Sequence, residues 1–291
     1  MIIVSKTSDL RKRLSAIRKT GRKIGFVPTM GALHEGHLAL IRACRKENLF
    51  CVISIFVNPA QFGPKEDYRK YPRNLKKDAD LAEKAGANLI FTPTAKQIYP
   101  TGYRTFVEVE KLSGRLCGKY RPGHFRGVTT VVLKFFNLVQ PDKAYFGWKD
   151  AQQLILIKKM AQDLNLPMEI IGIPTVREPD GLALSSRNIY LSPAEKKAAP
   201  ILYQTLLQIK NDCEKHGKSL KKTLKETSGR LKKNPLIKLQ YLRAVDPNTL
   251  KLPENTGNEI LVALAAFFGS TRLIDNIMLY VGNEKISKKS A

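Results

Sequence analysis

From Met1 to Asp180 the chain repeats one texture: a short apolar run, a turn, then an amphipathic segment whose apolar residues recur three and four positions apart. Few folds accommodate that alternation. Apolar runs of this length pair as strands, while the segments between them must bury one helical face, and a parallel sheet crossed over by helices satisfies both demands. Strands are expected over 1–4, 23–28, 49–57, 88–91 and 144–146, and helices over 8–20 (with a side-chain cap), 35–46, 74–84, 128–139 and 150–163. Crossovers of this kind are right-handed. Beyond the REPDG turn at 177–181 the texture changes to helices over 193–215 and 219–233, followed by strands over 239–245, 259–268 and 271–280. The expected architecture is α/β: a Rossmann-like parallel-sheet domain over 1–175, a smaller C-terminal α+β domain over 176–282, and a polar, lysine-rich, mobile tail over 283–291.

At 291 residues, 43% apolar and 26% charged, the chain has enough apolar side chain for a full core. Its longest apolar stretches are about half the roughly 20 residues that a bilayer-spanning helix needs. The first residues lack the pattern of a secretory signal, so a cytoplasmic protein without membrane contact is expected. Cys44, Cys51, Cys117 and Cys213 form no CxxC pair and read as buried small side chains rather than disulfides or zinc ligands. The balance of 50 Lys and Arg against 25 Asp and Glu gives a net charge of +25. Such a surface attracts nucleic acid, acidic lipid or phosphorylated small molecules. The cations, however, fall in doublets along the whole chain, such as Lys158 with Lys159 and Lys232 with Lys233, rather than in one stripe. That distribution fits a solvated surface. A basic nucleic-acid-binding protein stays as the weaker alternative, with no RNP, zinc-finger or basic-zipper pattern to support it.

The string PTMGALHEGH at 28–37 places a strand, a small-residue turn and a helix start in succession. Open parallel sheets bind ligands at the carboxyl ends of their strands, and a helix beginning there aims unpaired N–H groups and a positive dipole end at the crevice, which favours phosphate. His34 and His37, three apart, share a face of the first helical turn, and Gly36 between them leaves room for a nucleotide to approach the backbone. A metal site is one alternative, although the spacing is one residue short of HExxH; an ordinary pair of helix-cap histidines is another.

This string resembles the HxGH signature of the nucleotidyltransferases, and its full wording is similar to that of the pantothenate synthetase (pantoate-β-alanine ligase) family. SIFVNPAQF at 54–62, YPR at 71–73, RPGHFRGV at 121–128, FGWKDAQQ at 146–153 and LSSRN at 184–188 match the same family in order. The resemblance implies ATP-dependent condensation of pantoate with β-alanine through a pantoyl adenylate, by a homodimer. On that resemblance ATP meets Met30, Gly31, Ala32, Leu33, His34, Glu35, Gly36, His37, Gly147, Trp148, Lys149, Asp150, Val176, Leu184, Ser185, Ser186 and Arg187, with His37, His34 and Lys149 as the catalytic group. Gln61 and Gln153 resemble the amides that hold pantoate, and Gln61 also meets β-alanine. The segment 184–188 looks like a closing loop over the phosphates, and 121–127 reads equally as a site wall or a structural loop. Mg²⁺ is expected with ATP, and Asp78 reads either as a carboxylate near that ion or as an ordinary aspartate on a helix surface. Two residues depart from the family pattern: Leu184 stands where methionine is common and Trp148 where glutamate is usual. Another HxGH adenylyltransferase, which would retain AMP in its product, is the nearest enzymatic alternative.

Overall fold

The computed structural model describes residues 1–47, 49–64, 66–253 and 259–280; the tail expected over 283–291 lies outside the described residues. In chain order the elements are β1 (Ile2–Val4), α1 (Thr7–Lys19), β2 (Ile24–Thr29), α2 (Glu35–Lys46), β3 (Phe50–Ile55), α3 (Leu75–Lys84), β4 (Leu89–Phe91), α4 (Ala95–Ile98), α5 (Leu116–Tyr120), α6 (His124–Val139), β5 (Lys143–Gly147), α7 (Ala151–Asp163) and β6 (Glu169–Ile173). There follow α8 (Pro193–Ala198), α9 (Ile201–Glu214), α10 (Leu220–Lys232), β7 (Lys238–Val245), β8 (Glu259–Phe268) and β9 (Thr271–Tyr280). The described residues divide into two compact units, one within 1–114, 118–148 and 152–175, the other of 115–117, 149–151, 176–253 and 259–280.

The first unit is built on a six-stranded sheet of order β1-β4-β3-β2-β5-β6 in which every pairing is parallel. From β2 the chain steps to β3 and β4 on one side, then returns to place β5 and β6 on the other, so the strand order reverses between β2 and β5. Parallel α/β sheets bind their ligands outside the carboxyl ends of the strands at such a reversal. Helix α6 covers the strands with an almost wholly apolar face. Its Phe135, 2% exposed, meets the rings of Phe26, Phe56 and Phe91 edge-on at centroid distances of 6.0, 5.9 and 6.0 Å. One side chain thus ties β2, β4 and the segment after β3 together through the edge-to-face geometry that aromatic quadrupoles favour.

In the second unit β7, β8 and β9 form an antiparallel sheet, and Leu202, Leu206 and Ile209 of α9 share one core with Val262, Leu264 and Phe268 of β8.

Four local expectations are corrected. Helix α1 has Lys6 at its N-terminus and no side-chain cap bond. Helix α6 begins at His124 rather than 128, because Gly123 takes a left-handed conformation (φ 78°) that turns the chain into it. The helix expected over 193–215 is two, interrupted at Ala199 and Pro200, since a proline ring cannot continue a helix interior. Strand β6 has no counterpart among the expected strands; it is a short, partly buried edge strand with Gly172 inside it, a residue that weakens any strand signal.

Phe135→Ala should lower the unfolding free energy by roughly 3–5 kcal/mol, the usual cost of an aromatic deletion in a packed core. The expected record is a lower denaturant midpoint at unchanged slope.

Candidate active site

Between β2 and α2 the chain makes a turn with two successive left-handed residues, Gly31 (φ 82°) and Ala32 (φ 51°). A Cβ at position 31 would lie 2.9 Å from Asp78 Oδ2 and 3.0 Å from Ile55 Cγ2, so space as well as dihedral angle demands glycine there. Asp78, in the first turn of α3, holds this turn: Ala32 N donates to Oδ2 at 3.0 Å and Leu33 N to Oδ1 at 2.8 Å. Thr29 adds a second tie, donating from Oγ1 to Ser54 O at 2.7 Å and accepting from Gly31 N at 3.2 Å. Asp78 is only 2% exposed, which overturns the expectation of a helix-surface aspartate. Burial pushes its carboxyl above the ordinary value, against the pull of the two amides.

The turn delivers His34 as the cap of α2, where its Nδ1 accepts from Gly36 N at 3.2 Å, while His37 Nδ1 accepts from His34 N at 3.4 Å. The rings lie 4.1 Å apart between centroids and tilt at 43°. This reciprocal capping corrects one expectation. The Gly36 and His37 amides are used within the cap, His37 N donating to His34 O at 2.8 Å, so these two are not the unpaired N–H groups expected at this helix start. With each Nδ1 accepting, the neutral ring carries its proton on Nε2. Glu35, exposed on the first turn of α2, pairs with Arg42, whose hydrogen bond holds its carboxyl below the ordinary range.

Gln61 closes the short turn Pro59–Gln61 after β3 and is 9% exposed. Its Oε1 accepts from Asn58 Nδ2 at 3.1 Å and its Nε2 lies 3.0 Å from Met30 Sδ, which joins it to the turn after β2. Helix α6 supports it from beneath. Gly127 approaches so closely that a Cβ there would stand 2.2 Å from Ala60 O, Asn58 Nδ2 also donates to Gly127 O at 3.0 Å, and His124 Nδ1 lies 2.8 Å from Gln61 O. Arg121 grips Glu66 with two bonds, Nε to Oε1 at 2.7 Å and Nη2 to Oε2 at 2.6 Å. Burial pushes the Glu66 carboxyl up, but the Arg121 hydrogen bond and charge, the Gly63 amide and His124 together outweigh it and the net shift is downward. Tyr99 OH donates to Asn58 Oδ1 at 2.8 Å, and burial pushes its phenol far up, keeping it a donor. Asn58, Tyr99 and Gly127 are therefore parts of the site that sequence patterns did not single out; the only signal was their presence in or near matching strings.

At the mouth of β5, Gly147 pairs with Ile173 of β6 and Trp148 follows, packing on Gly172, where a Cβ would meet its Nε1 at 2.6 Å. In the second unit Lys149 Nζ pairs with Asp150 Oδ2 at 3.2 Å. Val176 and Leu184 face each other across a hairpin, Leu184 N donating to Val176 O at 3.0 Å. The hairpin runs into the turn Ser186–Tyr190, which Ser185 caps by accepting from Arg187 N at 3.3 Å. Gln153, half-buried, lies on the first turn of α7. Among the described residues no group of three or more His, Cys, Asp or Glu is placed to hold a metal ion, and no helix is long and apolar enough to cross a membrane.

The sequence profile of the family described as pantoate-beta-alanine ligase matches residues 2–278. The chain belongs to that family. It is 50% identical over 281 residues to the pantothenate synthetase of Acetivibrio thermocellus, covering 97% of this chain and 100% of that one. It is 51% identical over 278 residues to that of Thermosipho melanesiensis, covering 95% and 99%. Among solved structures, the pantothenate synthetase of Thermus thermophilus superimposes with a TM-score of 0.90 at 47% identity over 96% of this chain and 100% of that one. The pantoate-beta-alanine ligase of Francisella tularensis, complexed with beta-gamma ATP and beta-alanine, superimposes at 0.79 with 36% identity over 96% and 97%. Within this ligase family, then, the turn clamped by Asp78 and the amide of Gln61 are the features to test first.

Asp78→Ala leaves two amides without acceptors and should cost about 2–4 kcal/mol of unfolding free energy. Asp78→Asn should recover no more than half of that, because its amide nitrogen would face one of the two donors. Chemical unfolding of both variants checks this. Glu66 gives a pH signature: its lowered carboxyl contributes stability above its unfolded value that is lost as pH falls through the folded one. Melting temperatures taken from neutral into acid solution should therefore fall less steeply for Glu66→Gln than for the wild type.

Proposed function

We propose that this enzyme condenses (R)-pantoate with β-alanine, using ATP, to give pantothenate, AMP and diphosphate through a pantoyl adenylate. The single observation that carries the reading is the paired capping of His34 and His37, which spends each Nδ1 on the start of α2 and so puts the proton of each neutral ring on Nε2, immediately after β2 at the strand reversal. Family membership and the complex described for the Francisella tularensis ligase support ATP and β-alanine as ligands.

A carboxylate is a poor acyl donor because an oxide would have to leave; a nucleotide cap supplies a good leaving group. The pantoate carboxylate attacks the α-phosphorus in line and diphosphate departs, so the catalytic need is for positioned donors where negative charge grows. His34 and His37 serve as those donors through Nε2. Met30, Gly31, Ala32 and Leu33 form the adjoining wall, and Gly147, Trp148, Lys149 and Asp150 follow β5. Val176 and Leu184 meet the adenosine, and Ser185, Ser186 and Arg187 meet the phosphates; for these the support is the family motif. Gln61 offers one Nε2–H, since its Oε1 is held by Asn58 and its Nε2 also donates to Met30 Sδ, and with Gln153 it holds pantoate, later meeting β-alanine. The amine then attacks the acyl carbon and AMP leaves.

Mg²⁺ enters with the nucleotide. Both Asp78 oxygens accept main-chain amides, so Asp78 does not fit as a direct ligand, and an ion held by phosphate oxygens and water suits the residues present. Four buried free thiols fit a reducing cytoplasm; a homodimer rests on the family resemblance.

Release of AMP that requires both pantoate and β-alanine tests the reading, and AMP retained in the product would mark an adenylyltransferase instead. His37→Ala should slow pantoate-dependent exchange of labelled pyrophosphate into ATP by about 10²-fold, the scale for losing a donor to the transition state. His37→Asn, which keeps an acceptor for His34 N, should lose the same rate at unchanged melting temperature. A wild-type exchange rate in either variant would remove His37 from the mechanism.

A further inference from the structure

Neighbouring residues of β9 reach two separate segments assigned above to ATP. Asp275, 4% exposed, takes a two-pronged bond from Arg177, Nη1 to Oδ2 at 2.6 Å and Nη2 to Oδ1 at 2.9 Å. Arg177 also donates to Gly181 O at 3.1 Å and lies with its Cζ 3.5 Å over the ring of Tyr203. Since Arg177 bridges to Ala183 across the hairpin that ends at Leu184, Asp275 pins the stem from which Ser185, Ser186 and Arg187 extend. The next residue, Asn276, 9% exposed, donates from Nδ2 to the main-chain oxygen of Lys149 at 3.0 Å. That bond has one possible sense, because a carbonyl only accepts, so the amide orientation of Asn276 is fixed.

We infer that Asn276 is a positioning residue: it holds the main chain at Lys149 so that the ammonium group meets the nucleotide phosphates, while Asp275 keeps the same strand in register with the Ser185 loop. The assignment rests on the ATP-binding reading of Lys149 given above. Strand β9 is paired along its full length with β8, from Thr271 to Tyr280, and is a rigid place from which to hold two segments that are distant in sequence. Positioning by rigid elements matters because a displacement of about 1 Å can cost on the order of 10²-fold in rate.

Pantoate-dependent pyrophosphate exchange in the full-length protein tests it with Asn276→Ala, the nearly isosteric Asn276→Asp, Lys149→Ala and the double variant Asn276→Ala/Lys149→Ala. Expected is a loss of roughly 10-fold or more in kcat for both Asn276 variants, with KM for pantoate unchanged. In the Lys149→Ala background, Asn276→Ala should cost less than about 2-fold further, since its effect runs through that lysine. Fluorescence of Trp148, the single tryptophan of the chain and the neighbour of Lys149, should shift on adding ATP to the wild type and shift less in Asn276→Asp. Wild-type kcat in both Asn276 variants, or additive losses in the double variant, would overturn the assignment while leaving the functional reading intact. Loss of a cooperative melting transition in both variants would also overturn it, by making Asn276 a residue of the fold. A wild-type protein without exchange would overturn the functional reading and this assignment together.

Discussion

One buried carboxylate shapes the turn on which the site depends. Ala32 sits in a left-handed conformation that costs an L-residue about 1–2 kcal/mol, and Gly31 beside it has no side chain to hold it in place. The two amide bonds to Asp78 are charge-assisted, worth about 1.5–3 kcal/mol each, which exceeds that strain, while burial works against the ionised carboxylate and leaves its carboxyl above the ordinary value. Because Asp78 belongs to α3, the turn after β2 takes its shape from an element remote in sequence. The direction of α2, the capping position of His34 and the pairing of the two rings follow from that turn.

A second constraint runs from α6 to the same place. Gly127 gives up helix propensity in the first turn of the apolar helix α6, and what it permits is the approach of the Pro59–Gln61 turn to a distance no other residue would allow. Asn58 then uses its whole amide, Oδ1 accepting from Tyr99 and Ala60 N, Nδ2 donating to Gln61 and Gly127 O. A buried amide so fully engaged has no alternative flip, and it fixes that of Gln61 in turn. The segment 121–127, which reads equally as wall or loop in the sequence, is thereby a support: Arg121 and His124 both reach the main chain at Gln61.

The alternation of apolar runs places β1 to β5 and α2 within a few residues because β2 to β5 and α2 bury most of their apolar side chains, and burial is what periodicity encodes; β1, of which only Val4 is buried, is legible from its apolar run alone. Strand β6 carries no such signal, being short, partly exposed and interrupted by Gly172. For the histidines, spacing alone puts His34 and His37 on the first turn of α2, and the structure adds what spacing does not hold, namely that each ring spends Nδ1 on the helix cap. Asp78 passes for a surface residue in the sequence for the same reason. Its partners are amides of residues 32 and 33, and main-chain donors leave no mark in a sequence.

Trp148 shows how a departure from the family pattern can be absorbed locally. An indole needs room, and the facing strand supplies it: position 172 is glycine, and any Cβ there would strike the indole nitrogen at 2.6 Å and Leu154 at 2.8 Å. Lys158 Nζ on α7 lies 5.9 Å from the centre of the ring, a cation–π contact. The charge beside Trp148 is not left uncompensated either, because Asp150 holds the Lys149 ammonium. Tryptophan at 148, glycine at 172 and Leu154 are thus one steric unit, in which both the indole and the leucine exclude a side chain at 172.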